Sequence, residues 1–87
     1  MPEVALVVAR HPCPCCGAYT LKDSGKLELC PVCWWEDDGQ TEAEADLVHY
    51  SVNGEMSLLE ARLHYATCGA SHPRFARFVR PALLSER

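Results

Sequence analysis

Cys13-Pro14-Cys15-Cys16-Gly17 and Cys30-Pro31-Val32-Cys33 decide how this chain is read. Taken as C-x2-C, thirteen residues and C-x2-C, they offer Cys13, Cys16, Cys30 and Cys33 as four thiolates. That is the spacing of a tetrahedral structural zinc site of the ribbon kind. One zinc ion is the expected cofactor. Iron held by the same four sulfurs, as in a rubredoxin, is the alternative, and zinc is favoured over it. A chain of 87 residues buries little core of its own, so a metal would supply much of its folding energy.

Working outward, the length allows one domain over 1–87. A hydrophobic content of 48% with 23% charged residues is that of an ordinary globular chain. Six cysteines suit either a disulfide framework outside the cell or metal and redox chemistry inside it. The run Val4 to Ala9 follows Glu3 and is too short for a signal-peptide core, and no stretch reaches the roughly 20 apolar residues of a membrane span. The expectation is therefore a cytoplasmic protein with reduced thiols and no membrane partner.

The net charge of −4 conceals a segregation. Nine acids and no Lys or Arg lie between Lys26 and Arg62, whereas from Arg62 onward there are five arginines and one acid, Glu86. Zinc on four thiolates would add a further −2 to the acidic half. Binding to a phosphate backbone needs a basic surface, so nucleic acid is disfavoured, and the two halves are expected to pair within the fold.

The first expectation for local structure is a short strand or packing segment at Val4 to Ala9. Strands at 18–21 and 27–29 should form a hairpin across the polar linker 22–26. The segment 36–46 is acidic. Asn53-Gly54 signals a turn, and Ser57 with Glu60 is a capping box that opens a helix over about 58–68, stopped by Gly69. A basic-aromatic segment, 73–81, closes the pattern. On a wheel Leu58, Leu59, Ala61, Leu63, Tyr65, Ala66 and Cys68 form a wide apolar arc, with Cys68 expected to be buried in it.

Other candidate residues carry weaker signals. Cys15 borders Cys16 and is either an alternative ligand, a reactive thiol beside the metal, or a packing residue; spacing and the following Gly17 favour Cys16 as ligand. The four histidines do not fall at zinc-ligand spacing, and His11 is the best outside candidate because it borders the first knuckle. Trp34, Trp35, Glu36, Asp37 and Asp38 are candidates for an acidic partner face. In an extended segment the two indoles would point to opposite sides, one over the metal and one outward. No nucleophile–base pair or phosphate loop accompanies the acids, so catalysis is disfavoured. Arg62 falls inside the apolar arc and must find a carboxylate; Glu36, Asp37 or Asp38 is the expected partner. Arg74, Arg77 and Arg80, interleaved with Phe75, Phe78 and Val79, are candidates for a basic patch suited to single-stranded nucleic acid. The competing expectation is that the phenylalanines close the core while the arginines answer the acidic half.

The blocks HPCPCCG, LCPVCWWEDDG, NGEMSLLEARLHYATCGAS and HPRFARFVRP resemble those of the bacterial cysteine-rich CPCC family across about residues 11–81. His72 departs from the acid that many members carry before the proline of the last block. The resemblance implies zinc bound through Cys13, Cys16, Cys30 and Cys33, and implies nothing about a substrate. Together the readings describe a small α+β metal-stabilised domain: a zinc-ribbon-like β-hairpin with two CxxC knuckles and one main amphipathic helix. Its expected role is an interaction module whose acidic, tryptophan-containing face binds another protein, a basic one by charge. A nucleic-acid-binding ribbon and a thiol or iron redox protein are the alternatives.

Overall fold

Two five-residue turns organise the molecule, and they are built alike. In the first, the Cys13 N–H donates to the Ala18 carbonyl (2.8 Å) and the Gly17 N–H to the Cys13 carbonyl (2.8 Å). In the second, the Cys30 N–H donates to Trp35 O (2.9 Å) and the Trp34 N–H to Cys30 O (2.7 Å). A proline follows the first cysteine in each, pre-setting the φ of the turn. The fifth position is left-handed in both, with φ of 82° at Gly17 and 73° at Trp34. Glycine adopts that conformation freely, whereas for tryptophan it costs about 1–2 kcal/mol. These features come from a computed structural model that describes residues 10–50 and 52–87.

Each knuckle carries its own pair of extended arms. Strand β1, His11–Pro12, pairs antiparallel with β2, Tyr19–Leu21, in the register His11 to Leu21 and Pro12 to Tyr19. Around the second knuckle Leu29 bridges to Glu36, extended by Leu27 N–H to Asp37 O and Asp37 N–H to Glu28 O. The expected hairpin between 18–21 and 27–29 is therefore replaced by two short ones, because the knuckle turns themselves reverse the chain. The linker 22–26 is held by carboxylates instead. Glu28 accepts from the Lys22 and Asp23 amides (2.9 and 2.8 Å), and Asp37 accepts from the Gly25 amide (2.6 Å).

After a 3-10 turn at Glu42–Glu44, helix α1 covers Leu58–Cys68. The Ser57 hydroxyl accepts from the Glu60 N–H and the Glu60 carboxylate accepts from the Ser57 N–H, both at 3.1 Å. Gly69, at φ 78°, ends the helix by donating to Tyr65 O. Leu58 and Ala61 are buried, and Tyr65 packs against the core edge, a stripe at i, i+3 and i+7. The wide apolar arc is not buried as a whole. Leu59 and Leu63 are exposed, and so is Cys68, whose thiol meets Ala70 O. The expectation of a buried Cys68 fails because it lies on the last turn, beyond the reach of so small a core.

Ala70 and Ser71 turn the chain back under the second knuckle. The Ser71 N–H donates to Cys33 O (2.7 Å), and Ser71 O accepts from His64 Nδ1 (2.8 Å). Two further 3-10 segments, Pro73–Phe78 and Leu84–Glu86, complete the fold. The core consists of Leu21, Val32, Trp35, Leu58 and the cysteines themselves, so the candidate ligands and the hydrophobic centre are one cluster. The segment expected at 4–9 lies outside the described residues.

Candidate metal centre

The two knuckles face each other and bring Cys13, Cys16, Cys30 and Cys33 together, with all four Sγ atoms within 4.8 Å of one another. Cys13 meets Cys33 at 3.5 Å and Cys16 meets Cys30 at 3.7 Å. A tetrahedron of sulfurs about 2.3 Å from a central zinc has edges of about 3.8 Å, so the observed spacings fit such an ion. Cys13, Cys30 and Cys33 are 2%, 0% and 0% exposed, and Cys16 is half-buried at the edge. The Thr20 hydroxyl lies 3.1 Å from Cys30 Sγ, placed to donate to a thiolate there.

Electrostatics also call for a cation. Cys30 is held far below the ordinary thiol range by hydrogen bonds from Cys13, then Cys16 and Cys33. Cys13 is pushed far above it, chiefly through its contacts with Cys16 and Cys30, and Cys16 and Cys33 are raised too. Four thiols this close therefore cannot ionise together unaided, whereas a divalent ion favours the thiolate at all four.

The family model for cysteine-rich CPCC proteins matches residues 11–86, from the strand before the first knuckle to the last 3-10 turn. This chain belongs to the cysteine-rich CPCC family. A comparison with curated proteins finds no match.

In this CPCC protein Cys15 stands outside the four-sulfur group and is buried. Superposing the knuckles in sequence sets Cys15 opposite Val32, which is 1% exposed, and Ala18 opposite Trp35. Cys15 thus fills a buried position equivalent to that of Val32, with its thiol against Cys33. His11, the outside candidate, is exposed on β1.

The acidic, tryptophan-containing segment is not one face. Trp35 is 1% exposed and Asp37 4%, so neither is available to a partner. Asp37 turns inward because its carboxylate receives the amides of both Gly25 (2.6 Å) and Gly39 (3.2 Å), fastening the linker to the second knuckle. Asn53 clamps Glu36 from both sides, accepting from its N–H and donating to its carbonyl. Asp38 accepts from Gln40. Trp34 does point away from Trp35, but through its left-handed φ rather than an extended chain, and it stacks on Phe78 at 5.4 Å.

Arg62 finds a carboxylate other than the three expected. It forms a two-pronged pair with Glu42 (2.7 and 2.8 Å) while its Nε donates to Pro14 O at 2.9 Å. The carboxylates of Asp37 and Asp38 are engaged by Gly25 and Gln40, and the acidic 3-10 turn supplies the charge to Arg62 instead. Arg80 mirrors this on the second knuckle. Its N–H donates to Pro31 O, and its guanidinium grips Glu86 at 2.8 and 2.9 Å, which holds the Glu86 carboxyl down at about 2. Of the three arginines proposed for a basic patch, Arg80 is thus paired within the fold. Arg74 and Arg77 lie over the rings of Phe75 and Phe78 (4.8 and 5.0 Å). Phe78 is 48% exposed, so it does not close the core, and these two arginines do not answer the acidic half.

Sequence reasoning missed Thr20, Asn53 and Glu42. Thr20 reaches Cys30 across the knuckles and Asn53 reaches the Glu36 backbone from seventeen residues away, so no local pattern in the sequence marks either. No helix among the described residues is long and apolar enough to cross a membrane.

Proposed function

We propose that this CPCC protein is a zinc-stapled, ribbon-like interaction module of the cytoplasm. The observation that carries the reading is the buried four-sulfur cluster, whose cross-knuckle contacts of 3.5 and 3.7 Å match the edges of a zinc tetrahedron. Four protein ligands leave no open coordination position, which is the arrangement of a structural rather than a catalytic zinc. Iron would fit the same sulfurs and would declare itself by colour. The test is native against denaturing mass spectrometry of the reduced protein, with elemental analysis. One zinc per chain, lost on denaturation, supports the reading; a metal-free protein that keeps its fold overturns it.

The partner is a basic protein surface. Trp34 is half-buried with Phe78 stacked on it, and the half-buried Glu36 and Asp38 are close by in sequence. Charge complementarity suits a basic partner and makes association sensitive to salt. Glu36→Gln with Asp38→Asn is expected to weaken capture at low salt while leaving metal content unchanged. Undiminished capture by that variant would remove the acidic face from the reading.

A further inference from the structure

Three of the four clustered sulfurs are sealed from solvent, and Cys16 alone is half-buried. Both hydrogen-bonded sulfur contacts, Cys13 to Cys33 and Cys16 to Cys30, run between the knuckles rather than within one. The one hydroxyl on a sulfur, that of Thr20, sits on Cys30, the neighbour of Cys16. Access is thus concentrated at one sulfur, which has a thiol on the other knuckle within 3.7 Å.

We infer that this centre is also a peroxide-reactive site, entered at Cys16 and resolved by Cys30, so that oxidation replaces the metal staple with disulfides joining the same two knuckles. The inference rests on the metal reading above. The Cys16 sulfur, a thiolate when the metal is bound, attacks one oxygen of hydrogen peroxide; the O–O bond breaks, and the leaving hydroxide takes a proton to become water. Cys16 is then a sulfenic acid. The Cys30 thiolate, supported by the Thr20 hydroxyl, attacks Cys16 Sγ, forming the S–S bond and expelling hydroxide, which takes a second proton. Two thiolates, one peroxide and two protons give one disulfide and two waters, and the two electrons pass from the sulfurs to peroxide. Cys13 and Cys33, at 3.5 Å, repeat the step with a second peroxide. A bond between the knuckles preserves the contact that the metal made. A bond within either knuckle leaves the two free to part.

The test uses full-length Cys68→Ser protein, which lacks the exposed thiol outside the centre, loaded with zinc and checked by elemental analysis. After stepwise hydrogen peroxide, free thiols are alkylated and the protein is cut with trypsin without reduction. Cleavage after Arg10, Lys22, Lys26 and Arg62 leaves Cys13, Cys15 and Cys16 on peptide 11–22 and Cys30 and Cys33 on peptide 27–62. The expected result is complete zinc release with the two peptides linked, the first bond being Cys16 to Cys30, and the same link in a Cys15→Val background. Three results overturn the inference: separate peptides each with an internal bond, Cys16 taken to sulfinic acid without a cross-link, or zinc retained at full peroxide. Any of these in a protein that had bound one zinc leaves the metal reading standing, whereas a protein that never bound metal sinks both.

Discussion

Two residues at equivalent knuckle positions show what local chemistry demands. Cys15 occupies the place that Val32 fills in the second knuckle, and both are buried. Cys15→Val is therefore expected to cost less than about 1.5 kcal/mol, as volume-conserving core swaps do, and to retain one metal per chain. Cys16→Ser should lose the metal, and elemental analysis of the two variants separates the roles. At the fifth position Trp34 accepts a left-handed φ of 73° where the first knuckle has glycine. Trp34→Gly and Trp34→Ala both delete the stack on Phe78, but only alanine keeps the strain. The glycine variant should be more stable than the alanine variant by about 1 kcal/mol in denaturant melts; equality would show that the turn relaxes. At this scale the sequence was explicit about the four cysteines that cluster, because C-x2-C spacing is a local constraint. It left Cys15 against Cys16 open, since adjacent cysteines differ only in where the folded turn points them.

Elements were legible where the signal was local and obscure where the partner was distant. The helix could be read to its ends because Ser57, Glu60 and Gly69 act within a turn of themselves. Gly69→Ala should cost about 1 kcal/mol, entirely through its φ of 78°, since nothing lies within 4 Å of the added methyl. A thermal melt checks it, and a larger loss would point to a contact the helix end does not show. The hairpin was misplaced because short arms carry too few residues for their alternation to identify a partner. The direction of Asp37 was equally hidden: three consecutive acids look alike until one receives the Gly25 amide from a linker twelve residues back and the Gly39 amide two residues on. Asp37→Ala strands those amides. The expected loss is about 2–3 kcal/mol, the value of charge-assisted hydrogen bonds to a buried carboxylate, and Asp37→Asn should fall between. If Asp37→Ala instead melts with the parent protein and loses only partner capture, the carboxylate belongs to the surface after all.

For the molecule as a whole, the cysteines are the core, so metal loss and unfolding should be one event. Beside them, among the described residues, only Leu21, Val32, Trp35 and Leu58 are large and fully buried, a small core for a chain of this length. Acid provides the test, because two sets of groups titrate in separable windows. Glu86 in the folded state sits at about 2, held down by Arg80, against an ordinary value of 4.5. A depressed carboxylate stabilises the fold above its unfolded value, and the contribution fades only as pH falls from there through 2. The centre gives way earlier. With the proposed zinc bound, each ion displaced lets up to four thiols take protons, so binding weakens by up to about 5.5 kcal/mol per pH unit. A structural site worth about 10–16 kcal/mol at pH 7 is then spent within two to three units. Near-UV circular dichroism and Trp35 fluorescence should collapse between about pH 5 and 4, together with release of zinc to a colorimetric chelator. Glu86→Gln removes a contribution already present at that pH, but a solvent-screened pair is small against so steep a slope, so the midpoint should rise by no more than about 0.3 pH unit. A midpoint that moves by a full unit with Glu86, or a tertiary signal that outlasts the metal, would mean that the C-terminal clamp rather than the metal closes this fold.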